Sequence, residues 1–168
     1  DYPESTSLVL KVKNTKVAYL QLANFLRKKY APKVIAITGS SGKTTTKELI
    51  YSVMNEKFKT HKTFSNHNNE IGFCETLMTM PTDTQVLIVE MGMRGLGEID
   101  LLSKYSEPDY AVITNAGSAH IGRLGSLDNI AIAKSEIVHY LNPSGVLVAQ
   151  NNERIKKLAK FDGKKIFY

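Results

Sequence analysis

Residues 34–45 read Val-Ile-Ala-Ile-Thr-Gly-Ser-Ser-Gly-Lys-Thr-Thr, and an amphipathic stretch follows over residues 45–57. The apolar start is typical of a buried strand, and the glycines permit a tight turn into a helix. The start of such a helix presents outward-pointing N–H groups and the positive end of the helix dipole, which together bind anions. This order of elements predicts a phosphate-binding loop, or P-loop. The simpler alternative is a glycine-serine turn followed by an ordinary surface lysine.

The P-loop interpretation gives a role to each residue of the turn. Only two residues separate Gly39 from Gly42, so the loop is a shortened variant of the common pattern, which has four residues there. Lys43 is expected to reach the terminal phosphates of a nucleotide, and the Thr44 hydroxyl to ligate the accompanying Mg²⁺. The predicted nucleotide contacts are Gly39, Ser40, Ser41, Gly42, Lys43, Thr44 and Thr45, together with Asn115 from a later segment.

Composition limits the class of protein. The 168 residues have room for one domain, and 42% hydrophobic with 23% charged residues is ordinary for a soluble globular protein. The net charge of +6 suits a polyanionic ligand, but the basic residues are spread out and predict no nucleic-acid partner. Cys74 is the single cysteine, which rules out an internal disulfide. Because no apolar run approaches membrane-spanning length, we expect a cytoplasmic protein without a membrane partner.

The pattern of the chain changes at about residue 31. Residues 1–31 contain a helical pattern over 15–29 that Pro32 ends. Beyond it, strands are predicted at 34–37, 86–90, 110–114, 145–149 and 165–168, and helices at 45–57, 69–80, 98–105, 128–141 and 153–160. This alternation predicts an α/β fold, a mostly parallel sheet with helices on both faces. Since the last strand pattern begins just before the sequence stops, we expect a truncated fragment of a longer protein.

Polar clusters follow three of the predicted strands, at Gly39–Thr45, Glu90–Gly92 and Thr114–Gly117. Ligands of such sheets bind beyond the carboxyl ends of the strands, so we expect these segments to converge on one site. Glu90 is costly to bury unless it meets a cation, and beside a nucleotide it is expected to ligate Mg²⁺. The alternative is an exposed glutamate at the end of a strand.

Four further residues have two interpretations each. His120 lies in a loop, where an imidazole either ligates a metal or contacts phosphate, or is merely structural or exposed. Lys134 lies on a predicted helix, where a solvated lysine is the plain interpretation. Asn68 and Asn69 belong to an amide-rich segment that suits either contacts with a polar ligand or turn and helix-cap roles.

Together these segments resemble the ATP-binding central domain of the Mur ligases, a family that also includes folylpolyglutamate synthase. The resemblance covers about residues 33–168. It rests on Ile37–Glu48, Asn68–Gly72, Glu90–Met93, Gly97–Ile99, Ile113–Gly117, Ala119–Ile121, Leu124–Ser126, Ile130–Ala131 and Ala133–Ile137. The Met-Gly-Met and Ala-His-Ile elements favour the branch that adds D-alanyl-D-alanine. One departure is Phe73-Cys74, where the family usually has a proline close by.

The resemblance implies a role for each residue with an open interpretation. Thr44 and Glu90 would hold Mg²⁺, and His120 would ligate a second Mg²⁺ ion. Lys134 matches a helix lysine that is carbamylated in this family, where it helps to position metal, and this replaces the solvated-lysine interpretation. The expected catalytic residues are thus Lys43, His120 and Lys134, and the expected contacts with the muramyl-peptide substrate are Asn68 and Asn69.

The function implied by the resemblance is ATP-dependent amide-bond formation in peptidoglycan synthesis. ATP would phosphorylate the carboxylate of UDP-N-acetylmuramoyl-tripeptide, and D-Ala-D-Ala would attack the acyl phosphate. The protein would use ATP and Mg²⁺ as cofactors, have the UDP-muramyl-peptide and D-Ala-D-Ala as partners, and act as a monomer. Residues 1–31 would be the end of an N-terminal substrate domain or a linker, and residues 32–168 a partial central ATP-binding domain. Because the family's C-terminal domain has no match here, we expect no ligase activity from this chain alone.

Two alternatives stay open at this point. Another Mur ligase, or folylpolyglutamate synthase, would run the same chemistry on a different substrate, and substrate profiling separates these enzymes. A P-loop module that binds or hydrolyses nucleotide without ligation belongs to a different class. Such a module would release phosphate without requiring an amino acceptor.

Overall fold

The computed structural model describes residues 9–168, so the first eight residues of the predicted segment 1–31 lie outside the described residues. The strands are β1 (Lys33–Thr38), β2 (Thr60–Lys62), β3 (Val86–Glu90), β4 (Tyr110–Ile113), β5 (Val146–Ala149) and β6 (Lys164–Phe167). The helices are α1 (Thr15–Tyr30), α2 (Lys43–Asn55), α3 (Glu70–Met78), α4 (Glu98–Ser106), α5 (Ile121–Leu124), α6 (Leu127–Ser135) and α7 (Glu153–Leu158). Among residues 9–168, no helix is both long and apolar enough to cross a membrane.

The strands form one sheet in the order β2-β3-β1-β4-β5-β6. All its pairings are parallel, with Ile37 of β1 beside Glu90 of β3 and Thr38 of β1 beside Ile113 of β4. The predicted α/β fold is confirmed. The chain passes from β1 to β2 and β3 on one side and later continues with β4 on the other. The carboxyl end of β1 therefore lies at a switch point, where open α/β sheets bind their ligands.

Apolar residues of the strands point alternately to two faces that helices cover. On one face, Ile35 of β1 belongs to a cluster that packs against Ile50 and Met54 of α2. On the other face, Val34 and Ala36 join the buried side chains of α1, α3, α4, α6 and α7. This alternation follows from the two-residue period of a strand, and burial on both faces explains why the strands are apolar throughout. The prediction of helices on both faces is confirmed.

Helix α1 packs against two of the helices that cover one face of the sheet, α3 and α4. Its Leu20 and Ala23 are buried in the core that α3 and α4 share. Near its end, Asn24 Nδ2 donates to the Tyr105 carbonyl at 2.7 Å and Arg27 Nη2 donates to the Glu107 carbonyl at 2.7 Å. The predicted division at residue 31 thus separates two segments that pack together, and the assignment of residues 1–31 to a preceding domain stays a prediction.

The predicted helix 128–141 is shorter in the structure. Helix α6 ends at Ser135, and a 3-10 turn follows it. Glu136 directs its carboxylate across to the start of α4, where Oε1 accepts from the Gly97 N–H at 2.7 Å and Oε2 accepts from the Asp100 N–H at 3.1 Å. The prediction of one continuous helix is wrong because periodicity takes no account of such tertiary bonds.

Strand β2 and helix α5 have no counterpart in the sequence predictions. They are three and four residues long, which is too short for a periodic pattern to show. Strand β2 extends the sheet beyond β3, and the residue after it, Thr63, accepts a hydrogen bond from the Glu90 N–H at 3.1 Å. This short strand therefore places the following loop beside the candidate metal ligand.

Candidate active site

The turn between β1 and α2 has a backbone that glycine adopts readily. Gly39 has φ 154° and Gly42, which immediately precedes α2, has φ 76°. A Cβ atom on Gly39 would lie 1.8 Å from Thr114 Oγ1, because the end of β4 runs directly beside the turn. Position 39 thus requires glycine for its conformation and for the close approach of β4.

Helix α2 begins at Lys43, directly after this turn. Its first N–H groups have no acceptor within the helix and form the positive end of the helix dipole. Lys43 Nζ folds back over the loop and donates to the Gly39 carbonyl at 2.9 Å. The structure therefore presents a helix N-terminus with a lysine beside it, which is the arrangement that binds phosphate in P-loops.

Asn115, predicted as a nucleotide contact, is bonded to the P-loop itself. Its Oδ1 accepts from the N–H groups of Ser40 and Ser41, both at 3.1 Å, and its Nδ2 donates to Ser41 Oγ at 3.0 Å. Ser40 Oγ in turn donates to the Gly117 carbonyl at 3.0 Å. These bonds give Asn115 a loop-shaping role that its residue type did not indicate, and they use two of the loop N–H groups that were expected to face phosphate.

Glu90 is buried, with 3% of its surface exposed, and its carboxylate joins three segments. Oε2 accepts from Thr44 Oγ1 at 2.9 Å, and Oε1 accepts from Asn68 Nδ2 at 2.9 Å. Lys47 Nζ lies 3.7 Å from Oε2. The alternative of an exposed strand-end glutamate is therefore wrong, and the predicted convergence of the P-loop with the end of β3 is observed.

Lys47 is a site residue that the sequence reasoning missed. It stands one helical turn after Lys43 on α2, and its side chain is fully buried. In the sequence it looks like any helix lysine. A usable signal was its four-residue spacing from Lys43, which places both side chains on the same side of α2, facing the sheet end.

The two candidate substrate residues take different positions. Asn69 Oδ1 accepts from the Gly72 N–H at 3.0 Å and caps α3, which is the helix-cap role expected as the alternative to ligand contact. Asn68 is tied to Glu90 by its side chain, and its carbonyl accepts from the Gly92 N–H at 2.7 Å. A Cβ atom on Gly92 would lie 2.2 Å from Asn68 Oδ1, so the two segments touch. Any contact of Asn68 or Asn69 with substrate stays a prediction.

An open cavity of about 580 Å³ lies beyond these strand ends. This volume is within the range of small-molecule sites. Its wall contains four predicted site residues, namely Lys43, Asn68, Asn69 and His120. The other lining residues are Asn66, His67, Glu70, Ile71, Gly72, Glu75, Gly92, Met93, Arg94 and Glu98. Arg94 and Glu98 were not predicted, because in the sequence they are ordinary charged residues of a loop and a helix start.

His120 lies on the cavity wall, just before α5, with φ 69°. His120 is largely exposed, but the protein atoms around its ring displace some water and lower its pKa below the usual value, and the positive charges of Lys134 and Lys43 lower it further. A lowered pKa favours the neutral imidazole, which is the form that ligates metals. The position and the charge state therefore suit the predicted metal ligand, whereas the metal itself stays a prediction.

Lys134 is fully buried, and its Nζ has no hydrogen-bond partner among the described residues. Its neighbours on the same helix and turn include Ile130, Ala133 and Ile137, all of which are fully buried as well. Burial lowers the pKa of Lys134 to about 7, and the charge of Lys43 contributes. The solvated-lysine interpretation is therefore wrong. A buried amine without a partner is unusual and points to a functional role.

A metal ion at this site would need further ligands from a nucleotide. Within residues 9–168 there is no group of three or more His, Cys, Asp or Glu side chains that could hold a metal ion. Mg²⁺ commonly binds through one or two carboxylates together with phosphate oxygens and water. The Thr44 hydroxyl and the Glu90 carboxylate, 2.9 Å apart, fit such an ion when it arrives with a nucleotide.

Comparison with protein families agrees with this geometry. The family described as Mur ligase middle domain matches residues 37–168, which include the P-loop, Glu90, His120 and Lys134. The chain belongs to this family. The resemblance stated from the sequence motifs is therefore confirmed.

The sequences and structures of individual Mur ligases align with almost all of the chain. The UDP-N-acetylmuramoyl-tripeptide–D-alanyl-D-alanine ligase of Bacillus subtilis is 45% identical over 151 residues, which are 90% of this chain and 33% of that protein. The crystal structure of MurF from Acinetobacter baumannii aligns with a TM-score of 0.89 at 38% identity, over 94% of this chain and 36% of that one. The crystal structure of the MurF ligase of Thermotoga maritima in complex with ADP aligns with a TM-score of 0.90 at 29% identity. The alignment covers 99% of this chain and 39% of that one. The chain thus spans about a third of the length of these relatives.

A more distant likeness concerns the fold only. The apo form of L. casei FPGS aligns with a TM-score of 0.69 at 13% identity, over 96% of this chain and 51% of that one. Identity at this level shows a shared architecture and carries no statement about substrate.

Replacing Gly39 by alanine is expected to destabilise the P-loop. The added Cβ would meet Thr114 Oγ1 in a backbone conformation that alanine rarely adopts, so we expect a loss of about 1–3 kcal/mol in the free energy of unfolding. The matched control is Gly122→Ala, whose Cβ meets open space in α5 and which should change stability by less than about 1 kcal/mol. Urea unfolding measures both. Equal stability of the two variants would contradict the geometry of the turn.

Proposed function

We propose that this chain is the nucleotide-binding and metal-binding part of a ligase that adds D-alanyl-D-alanine to UDP-N-acetylmuramoyl-tripeptide in peptidoglycan synthesis. The observation that carries the proposal is the contact of Thr44 with the buried Glu90 directly behind Lys43, at the end of a parallel sheet. The choice of substrate is supported by the identity of 45% to the B. subtilis ligase of that name. The proposal concerns the whole protein, since the chain corresponds to a third of that relative.

The proposed reaction has two chemical steps. The terminal phosphoryl group of ATP passes to the free carboxylate of the peptide, which forms an acyl phosphate and releases ADP. The amine of D-Ala-D-Ala then attacks the acyl carbon, and inorganic phosphate leaves with the former carboxylate oxygen. Lys43 leaves the Gly39 carbonyl to contact the transferring phosphoryl group, where its charge stabilises the negative charge of the transition state.

Three side chains are proposed to hold Mg²⁺. Thr44 and Glu90 would bind the ion that accompanies ATP, and the imidazole of His120, which lines the cavity, would bind a second ion there. The ions supply charge neutralisation at the phosphate oxygens. Within the chain, Asn68 holds Glu90 Oε1 and so orients the carboxylate for this task.

Lys134 is proposed to react with CO₂ and form a carbamate. The Nζ lone pair attacks the carbon of CO₂ and one proton leaves, so the amine becomes an anionic N-carboxylate. The reaction needs the neutral amine, and a pKa of about 7 keeps about half of Lys134 neutral at that pH. A buried cation beside Lys43 would be repelled by metal, whereas a carbamate replaces that charge with an anion.

The cavity is proposed to receive the muramyl-peptide substrate. Asn68 and Asn69 on its wall would donate to the substrate, and the open amide segment 66–69 gives them access. Because the reactants are ATP and a nucleotide-linked precursor, we place the reaction in the cytoplasm. Residues 1–31 are proposed to lead in from a substrate domain that precedes the nucleotide site.

The proposal is tested by the acceptor requirement of the complete gene product that carries this chain. With UDP-N-acetylmuramoyl-tripeptide and ATP, phosphate release is expected to require D-Ala-D-Ala and to be much slower with single amino acids. Lys43→Ala should remove most of the ATP affinity or turnover while the fold is retained, with Lys57→Ala, in the exposed turn just after α2, as the control. Phosphate release that needs no amino acceptor would contradict ligation and indicate a nucleotide hydrolase.

The carbamate is tested by three variants of the same protein. Lys134→Ala should lower turnover by about 10–100-fold or more, since it removes the anion that orders the metal site. Short-chain carboxylic acids should restore part of this loss by occupying the vacated position, and Lys134→Arg should not restore it. The exposed Lys104 of α4 provides the control variant Lys104→Ala.

A direct reading of the modification comes from ¹³C NMR. After equilibration with ¹³CO₂, the unaltered protein should show a carbamate resonance that Lys134→Arg lacks. Full turnover by Lys134→Arg would mean that the residue acts as a cation, and the carbamate proposal would then fail.

A further inference from the structure

The buried ammonium group of Lys47 has a set of contacts that the proposed reaction does not use. Lys47 Nζ donates to the Ser65 carbonyl, lies 3.4 Å from Glu48 Oε1 and lies 3.7 Å from Glu90 Oε2. No part of its side chain is exposed. A buried charge is stable only when it is paired and hydrogen-bonded, and these groups supply the pairing.

Lys47 does not line the cavity in which the substrate is proposed to bind, so it acts through its neighbours. The neighbour with an unusual backbone is Ser65, which has φ 47°. A residue other than glycine holds this conformation only where the surroundings impose it. The hydrogen bond from Lys47 to the Ser65 carbonyl connects this residue to α2.

The loop that follows Ser65 leads directly to the metal-ligand candidate. The Asn68 N–H donates to the Asn66 carbonyl at 2.7 Å, and Asn68 Nδ2 donates to Glu90 Oε1 at 2.9 Å. Glu90 Oε2 accepts a hydrogen bond from Thr44 Oγ1, which lies on α2. Lys47, Ser65, Asn68, Glu90 and Thr44 thus form a closed ring of contacts, and Lys47 is the member that connects α2 to the loop.

We propose that Lys47 is a positioning residue that holds the loop 64–69 against Glu90, and that it thereby sets the affinity for the muramyl-peptide. This inference rests on the proposed function for its substrate, but its structural part does not. Loss of the ammonium group releases Ser65, and the loop then swings away from Glu90 with Asn68 and Asn69. The nucleotide contacts of Lys43 are left in place because α2 itself is unchanged.

A neighbouring lysine provides a matched control. Lys62 pairs with Glu48 Oε2 and stacks on the Tyr51 ring at 4.0 Å, so it shares Glu48 with Lys47. Its ammonium group is bonded neither to Ser65 nor to Glu90 among the described contacts. Lys62→Met therefore removes a charge from the same cluster without removing the connection to the loop.

The first test is hydrogen exchange, which needs no substrate. In Lys47→Met, the amides of His67, Asn68 and Gly92 should exchange about tenfold faster or more, because each is bonded within or onto this loop. The amides of β4 and β5 should keep their rates, and Lys62→Met should match the unaltered protein throughout. If Lys47→Met has no cooperative unfolding transition, Lys47→Gln, which lacks the ammonium group and is one bond too short to reach the Ser65 carbonyl in the same way, replaces it with the same expected result. Unchanged exchange in the loop, or equal acceleration by Lys62→Met, would overturn the proposal.

The second test is kinetic and uses the complete gene product. Lys47→Met should raise the KM for UDP-N-acetylmuramoyl-tripeptide by about tenfold or more, and by a larger factor than the KM for ATP. If Lys47 were only a competitor of Mg²⁺ for Glu90, its removal would lower the Mg²⁺ concentration for half-maximal rate and leave the peptide KM unchanged. That result would overturn the proposal. Absence of ligase activity in the unaltered protein would contradict the proposed function and leave the exchange result standing.

Discussion

A carboxylate buried at the end of a central strand constrains this site more than any other group. Glu90 needs partners because an unpaired carboxylate in a protein interior is strongly unfavourable. It finds them in Thr44, Asn68 and Lys47, which come from α2 and from the loop after β2. Since Thr44 also carries the proposed metal contact and Asn68 the proposed substrate contact, the hydrogen bonds that Glu90 needs also fix the arrangement of the site.

The topology of the sheet brings these partners together. With β3 and β4 on either side of β1, the ends of three strands meet at one edge, and the polar clusters that follow them meet as well. Asn115 from the β4 end shapes the P-loop, and Glu90 from the β3 end receives Thr44 from the first turn of α2. The scaffold holds the turn before α2 and the metal-ligand candidate in a fixed relation, as the proposed phosphoryl transfer requires.

Much of this architecture was predictable from the sequence, because strand and helix periods and glycine turns are local signals. The strand Val86–Glu90 has its predicted bounds, and the P-loop has its predicted place. The burial of Lys47 was not predictable, since only tertiary structure tells a buried lysine from a solvated one. The bonds of Asn115 and Glu136 were missed for the same reason, because their partners lie 74 and 39 residues away in the chain.

Thr44 and Glu90 are proposed to form one site for a nucleotide-bound divalent ion. A crystal structure of the complete gene product with ADP and Mn²⁺, in which anomalous scattering locates the ion, tests it most directly. We expect the ion within about 2.3 Å of Thr44 Oγ1, with Glu90 bound to it directly or through one water, and Lys43 moved from the Gly39 carbonyl to phosphate. An ion bound elsewhere, with the hydrogen bond between Thr44 and Glu90 intact, would contradict this metal site.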